Sequence, residues 1–99
     1  MQLVFTDEAR QDLFDIGDHI ARDNPARALT FVQELRATAS GLLRTPKAFP
    51  ILPRYSHLRL RRRVHGNYLI FYRSDNAVVS IVRILHGARE YEALLDTDE

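Results

Sequence analysis

Apolar residues recur at helical spacing through the first half of the chain and at every second position through much of the rest. Gln2–Phe5 predicts a short first strand. Thr6 follows with a hydroxyl suited to capping a helix, and Asp7 and Glu8 put negative charge in the first turn, where the helix dipole favours it. Ala9, Leu13, Ile16 and Ile20 then make one apolar stripe. Gly17, beside that stripe, costs about 1 kcal/mol against alanine, which predicts a close approach by a neighbouring helix.

Asp23-Asn24-Pro25 punctuates the pattern: Asn24 can cap a second helix, and Pro25 suits its first turn. Ala28, Phe31, Val32, Leu35, Ala39, Leu42 and Leu43 form a second stripe, predicting a helix to about Arg44 that Thr45-Pro46 ends. So short a link between two amphipathic helices forces an antiparallel hairpin. Pro46, Pro50 and Pro53 mark an ordered but irregular connection over Lys47–His57.

From Leu58 the period becomes two. Leu58, Leu60, Arg62 and Val64 alternate with Arg59, Arg61, Arg63 and His65, which predicts a strand over Leu58–His65. Gly66-Asn67 is a two-residue hairpin signal. Tyr68–Arg73 predicts the next strand, Ser74-Asp75-Asn76 a turn and Ala77–Leu85 a last strand. The expected architecture is α+β, in the order β-α-α-β-β-β, with a helical hairpin on one face of an antiparallel sheet.

Ninety-nine residues predict one domain over 1–99 with one core. The absence of cysteine excludes disulfides and thiolate zinc sites and points to a reducing cytoplasm. No signal peptide is expected: Met1–Phe5 is too short an apolar run and meets Asp7 and Glu8 at once. No stretch approaches the ~20 apolar residues of a membrane helix. Net charge is +1, against a general nucleic-acid binder, but its distribution is uneven. Acids gather in Asp7–Asp23 and in the tail (Glu90, Glu92, Asp96, Asp98, Glu99), whereas Arg54–Arg89 holds eight arginines and one acid, Asp75. Such asymmetry implies an acidic partner.

On the expected strand, Arg59, Arg61 and Arg63 share a face with His65, about 7 Å apart. They form either a solvated, aggregation-blocking edge or a site for carboxylates or phosphates. Arg62 points the other way, as a snorkelling side chain or the mark of a bulge. In the next strand Tyr68, Ile70 and Tyr72 share one face, and Leu69, Phe71 and Arg73 the other. Arg83 interrupts an apolar strand and must be paired or face a groove. On chemistry alone, His86, Arg89 and Tyr91 offer a general base, a phosphate clamp and a second acid or base for RNA cleavage. Equally, His86 and Tyr91 can cap the sheet and open a short helix, Glu90–Leu95. His19, His57, His65 and His86 show no metal-ligand spacing, and there is no nucleophile motif or glycine-rich phosphate loop. No cofactor or metal is expected.

The segments F-T-D-E-A-R-Q-D-L, N-P-A-R-A, R-T-P-K-A-F-P-I-L, R-R-R-V-H-G-N-Y-L-I-F-Y-R and V-R-I-L-H-G-A-R-E-Y-E-A-L-L, in that order, resemble the ParE/RelE superfamily of bacterial toxins. The H-G-x-R-[DE]-Y ending is similar to the ParE branch, which contains plasmid-stabilisation toxins of type II toxin–antitoxin systems. The resemblance implies a cytoplasmic toxin that inhibits DNA gyrase by binding, without catalytic residues, and is neutralised by a cognate ParD-like antitoxin. It implies no membrane association and no sequence-specific nucleic-acid binding by the chain alone. Arg59, Arg61, Arg63, Arg73, Arg83 and Arg89 are the expected antitoxin- or target-binding residues. The alternative is a RelE-like, ribosome-dependent messenger-RNA endoribonuclease using Arg89, His86 and Tyr91. Tyr91 lies nearer the last strand than in the RelE pattern, and the basic cluster lacks lysine. A second alternative is a non-toxic binding module.

Overall fold

The computed structural model describes residues 1–89 and 91–96; Glu90, with the tail acids Asp98 and Glu99, lies outside the described residues. Strand β1 (Gln2–Phe5) leads into helices α1 (Asp7–Ala21) and α2 (Pro25–Gly41). After a loop and a 3-10 helix (Pro53–Leu58) come β2 (Arg61–His65), β3 (Tyr68–Asp75), β4 (Val78–His86) and the short helix α3 (Tyr91–Asp96).

Both caps form as expected. Thr6 Oγ1 accepts from the Ala9 N–H at 3.0 Å, and Asn24 Oδ1 accepts from the Arg27 N–H at 3.0 Å with Pro25 in the first turn. The helices pack as a hairpin, and a Cβ on Gly17 would lie 3.4 Å from Val32 Cγ2, so the close approach is there. Helix α2 stops at Gly41, one turn short of Arg44, and Leu42, Leu43 and Arg44 continue as turns.

The sheet order is β1-β4-β3-β2. Strands β2, β3 and β4 form the expected antiparallel meander, while β1 joins β4 in parallel, which makes the sheet mixed. The α1–α2 hairpin is the crossover that a parallel pair requires. Ile70, Tyr72, Val79, Ile81 and Ile84 face the hairpin. Phe71 and Leu85 face the other way, under Tyr55, Leu60, Tyr91 and Leu95. Covered on both faces, the sheet therefore has two cores, where the sequence pattern implied one.

The expected strand over Leu58–His65 needs correction. Leu58 ends the 3-10 helix, and Arg59 adopts the left-handed conformation (φ 55°), so β2 starts only at Arg61. Arg59 thus leaves the row with Arg61 and Arg63 and pairs with Asp75 instead, at 2.7 Å. The proline-rich loop is ordered and irregular, as expected. Tyr72 OH donates to Pro46 O at 3.1 Å, Arg61 Nη1 donates to Phe49 O, and the Leu52 N–H donates to Leu60 O at 2.8 Å.

Strand β4, with nine residues, outruns the four of β1. Near the end of that overlap, where the β3–β4 register shifts between Phe71 and Tyr72, helix α1 takes over from β1. The Thr6 N–H donates to Ile81 O (3.0 Å) and its hydroxyl to Val82 O (2.7 Å). Further along α1, Asp12 Oδ2 accepts from the Ile84 N–H (2.9 Å), and its carboxylate takes a two-pronged bond from Arg83 at 2.8 and 2.9 Å. Arg83 is therefore paired, as its place in an apolar strand demanded. Removing one partner of such an enclosed pair strands the other, which costs about 3 kcal/mol or more. Asp12→Ala should lose roughly that much in urea unfolding followed by circular dichroism, and a loss below about 1 kcal/mol would contradict the assignment.

Candidate functional site

Three surface features are built from the residues that the sequence left over after the cores. The first is an apolar groove on the outer side of the hairpin. Phe14 and Leu29 fall one position off the buried stripes and stay 67% and 64% exposed. Between them lie Leu13, Gly17, Ala28 and Val32, with Arg10, Asp18 and Arg36 at the rim, around a cavity of about 390 Å³. Neither Phe14 nor Leu29 stood out in the sequence; the available signal was a large apolar residue directly beside a stripe residue.

The second is a cavity of about 340 Å³ between α1 and the end of β4, lined by Asp12, Asp15, His19, Tyr68, His86 and Arg89. Here the structure brings His86 and Arg89 together. His86 Nδ1 accepts from the Ala88 N–H at 3.0 Å, which in the neutral ring leaves the proton on Nε2, and its ring meets Tyr68 edge-on at 5.0 Å. Tyr91 is not part of this cavity: it packs on Phe71, 5.4 Å between ring centroids, in the core on the opposite face. The three residues named for RNA cleavage are thus divided between the two faces of the sheet.

The third lies where α2 ends against β2. Arg61 and Arg63 project to the hairpin side of the sheet, and Arg63 sits over the Phe49 ring at 5.1 Å. His65, next in the row, has Nδ1 2.9 Å from Thr38 Oγ1 and Nε2 3.6 Å from Glu34 Oε1. The hydrogen bond from Arg27 holds the Glu34 carboxyl below the usual range. Arg73 points to the other face with its Nε buried, and no acceptor reaches it among the described residues. The six candidate arginines therefore do not form one patch. Arg59 and Arg83 are spent on acids within the chain, Arg61 and Arg63 converge, and Arg73 and Arg89 stand apart.

Among the described residues, no cluster of three or more histidines and acids could hold a metal ion, and no helix is long and apolar enough to cross a membrane.

Residues 3–91 match the family model described as "ParE toxin of type II toxin-antitoxin system, parDE". The chain belongs to the ParE toxin family. No match was found among curated proteins. Among solved structures, it is similar to a chain of one described as "Chromosomal ParDE TA system from P. aeruginosa", with a TM-score of 0.72 and 24% identity. That likeness covers 87% of this chain and 95% of the other, and it supports the ParE-like α+β fold.

In this ParE-family chain two tyrosines report on how closed the hairpin side is. Burial pushes the hydroxyls of Tyr68 and Tyr72 above the usual tyrosine range, with Arg61 and Arg63 partly offsetting it at Tyr72. A raised folded-state value means that stability is full below the unfolded value, about pH 10, and is lost as pH rises through the folded one. Tyr68→Phe and Tyr72→Phe should each flatten the alkaline loss of stability and remove a late-titrating tyrosinate from the ultraviolet spectrum. Ordinary titration of both hydroxyls near pH 10 would contradict the enclosure.

Proposed function

We propose that this chain is a single-domain cytoplasmic toxin that inhibits DNA gyrase by binding and is neutralised by a ParD-like antitoxin. Family membership supports the toxin–antitoxin setting. One geometric observation favours binding over RNA cleavage: His86 and Arg89 line a cavity on the hairpin side, whereas Tyr91 is packed on the other face. General acid–base work needs its groups within reach of one scissile bond.

The antitoxin's seat is the outer groove of the hairpin. An amphipathic helix laid between α1 and α2 would cover Phe14 and Leu29, two anchors whose burial contributes about 1.5–3 kcal/mol each. Arg36 at the rim suits an acid flanking the apolar face of that helix. Arg61 and Arg63 supply further contacts for antitoxin acids along β2, and Arg73 and Arg89 remain candidates for antitoxin or target.

Induced expression without antitoxin should arrest bacterial growth with a DNA-damage response and intact transcripts; codon-biased cleavage of messages would overturn the reading. Leu29→Glu should keep the arrest and weaken binding of a ParD-type antitoxin by about 100-fold, roughly 2.8 kcal/mol in titration calorimetry. Unchanged affinity would remove the groove as the antitoxin's seat.

A further inference from the structure

Five arginines close ion pairs with acids of the chain: Arg10 with Asp7, Arg27 with Glu34, Arg54 with Glu92 and Asp96, Arg59 with Asp75, and Arg83 with Asp12. Arg44 and Arg63 do not. They line one cavity of about 390 Å³ between the end of α2 and the edge strand β2, together with Thr38, Leu42, Thr45 and Phe49. No acid lines it, and neither guanidinium has an acidic partner among the described residues. Two like charges sharing a recess repel each other, and an anion placed between them relieves that repulsion.

The recess is also held in shape before anything binds. Phe49, on which Arg63 stacks, is tied to β2 by Arg61 through its carbonyl, and the loop before it is tied to β3 by Tyr72. Arg44 folds back along the helix, with Nη2 3.9 Å from the place a Cβ would take on Gly41. A guanidinium already stacked on a ring, as that of Arg63 is, loses less freedom on binding an oxyanion than a free one.

We propose that this recess takes the carboxylate of a glutamate or aspartate side chain on the antitoxin, a contact that rests on the antitoxin reading above and adds Arg44 to it. Position selects a carboxylate over a phosphate. The recess lies at the C-terminal end of α2, where the helix carries partial negative charge and disfavours a dianion. Leu42 and Phe49 give an apolar wall for the methylene stem of an acidic side chain. Beside the recess, Ile51, which bridges to Arg61, is 38% exposed and offers apolar footing for a neighbouring residue of a polypeptide.

The test follows the arginine side-chain N–H resonances of the whole labelled chain. A short blocked peptide with one glutamate between leucines should shift the Arg44 and Arg63 signals saturably, and its glutamine counterpart should not. In Arg44→Gln the response of Arg63 should fall about tenfold, the loss expected for one charge-assisted bond, with the amide spectrum otherwise unchanged. Equal response to the glutamine peptide, or tighter binding of inorganic phosphate, overturns the proposal. A ParD-type antitoxin that binds wild type and Arg44→Gln equally well also overturns it. An antitoxin that fails to bind wild type overturns the antitoxin reading instead, while the peptide titration still decides whether the recess takes a carboxylate.

Discussion

A long strand beside a short one leaves main-chain groups to be satisfied, and in this fold helix α1 satisfies them. Past the end of β1, the main chain of β4 is bonded by the Thr6 hydroxyl and the Asp12 carboxylate rather than by another strand. The same carboxylate holds Arg83, so the pair neutralises two charges that neither the helix nor the apolar strand could bury alone. This clamp sets the position of α1 along the sheet, and α2 follows because a three-residue link, Arg22–Asn24, folds it back. Everything on the hairpin side is placed from there: the groove between the helices, the cavity by His86 and the basic recess under the end of α2.

With both faces of the sheet covered, little of it remains as open surface. The functional surface moves to the helices and to the edge strand β2. There the arginines sort by what they can reach. Some close ion pairs within the chain, and their charge is no longer offered to a partner. Arg44 and Arg63 lack such acids and keep theirs available. Charge counted along the sequence overstates the basic surface, and the fold brings two unpaired arginines together at one recess. A protein with that surface is built to be gripped by an acidic, amphipathic chain.

Much of this was legible in the sequence, for local reasons. Thr6, Asn24 and Pro25 carry their capping chemistry with them, and the alternation through Tyr68, Ile70 and Tyr72 assigned the faces of β3 correctly. Arg83 announced itself as a charge in an apolar strand, but its partner lies 71 residues away, and nothing local marks Asp12 beyond an acid on the buried face of a helix. The strand over Leu58–His65 failed at its start because alternation cannot register a left-handed residue, and Arg59 takes that conformation after a 3-10 helix. Tyr91 sits close to His86 and Arg89 along the chain, yet the turn after β4 carries it to the other face. Arg44 was invisible as a site residue because it meets Arg63 only through the fold.

The central claim is that the outer hairpin groove is where this toxin-family chain meets its antitoxin. Hydrogen–deuterium exchange on the chain alone and mixed with a ParD-type antitoxin locates the contact directly. Slowed exchange across 10–18 and 25–36, on either side of Phe14 and Leu29, is the expected result. Slowing confined to the 3-10 helix and α3, on the opposite face of the sheet, would contradict it.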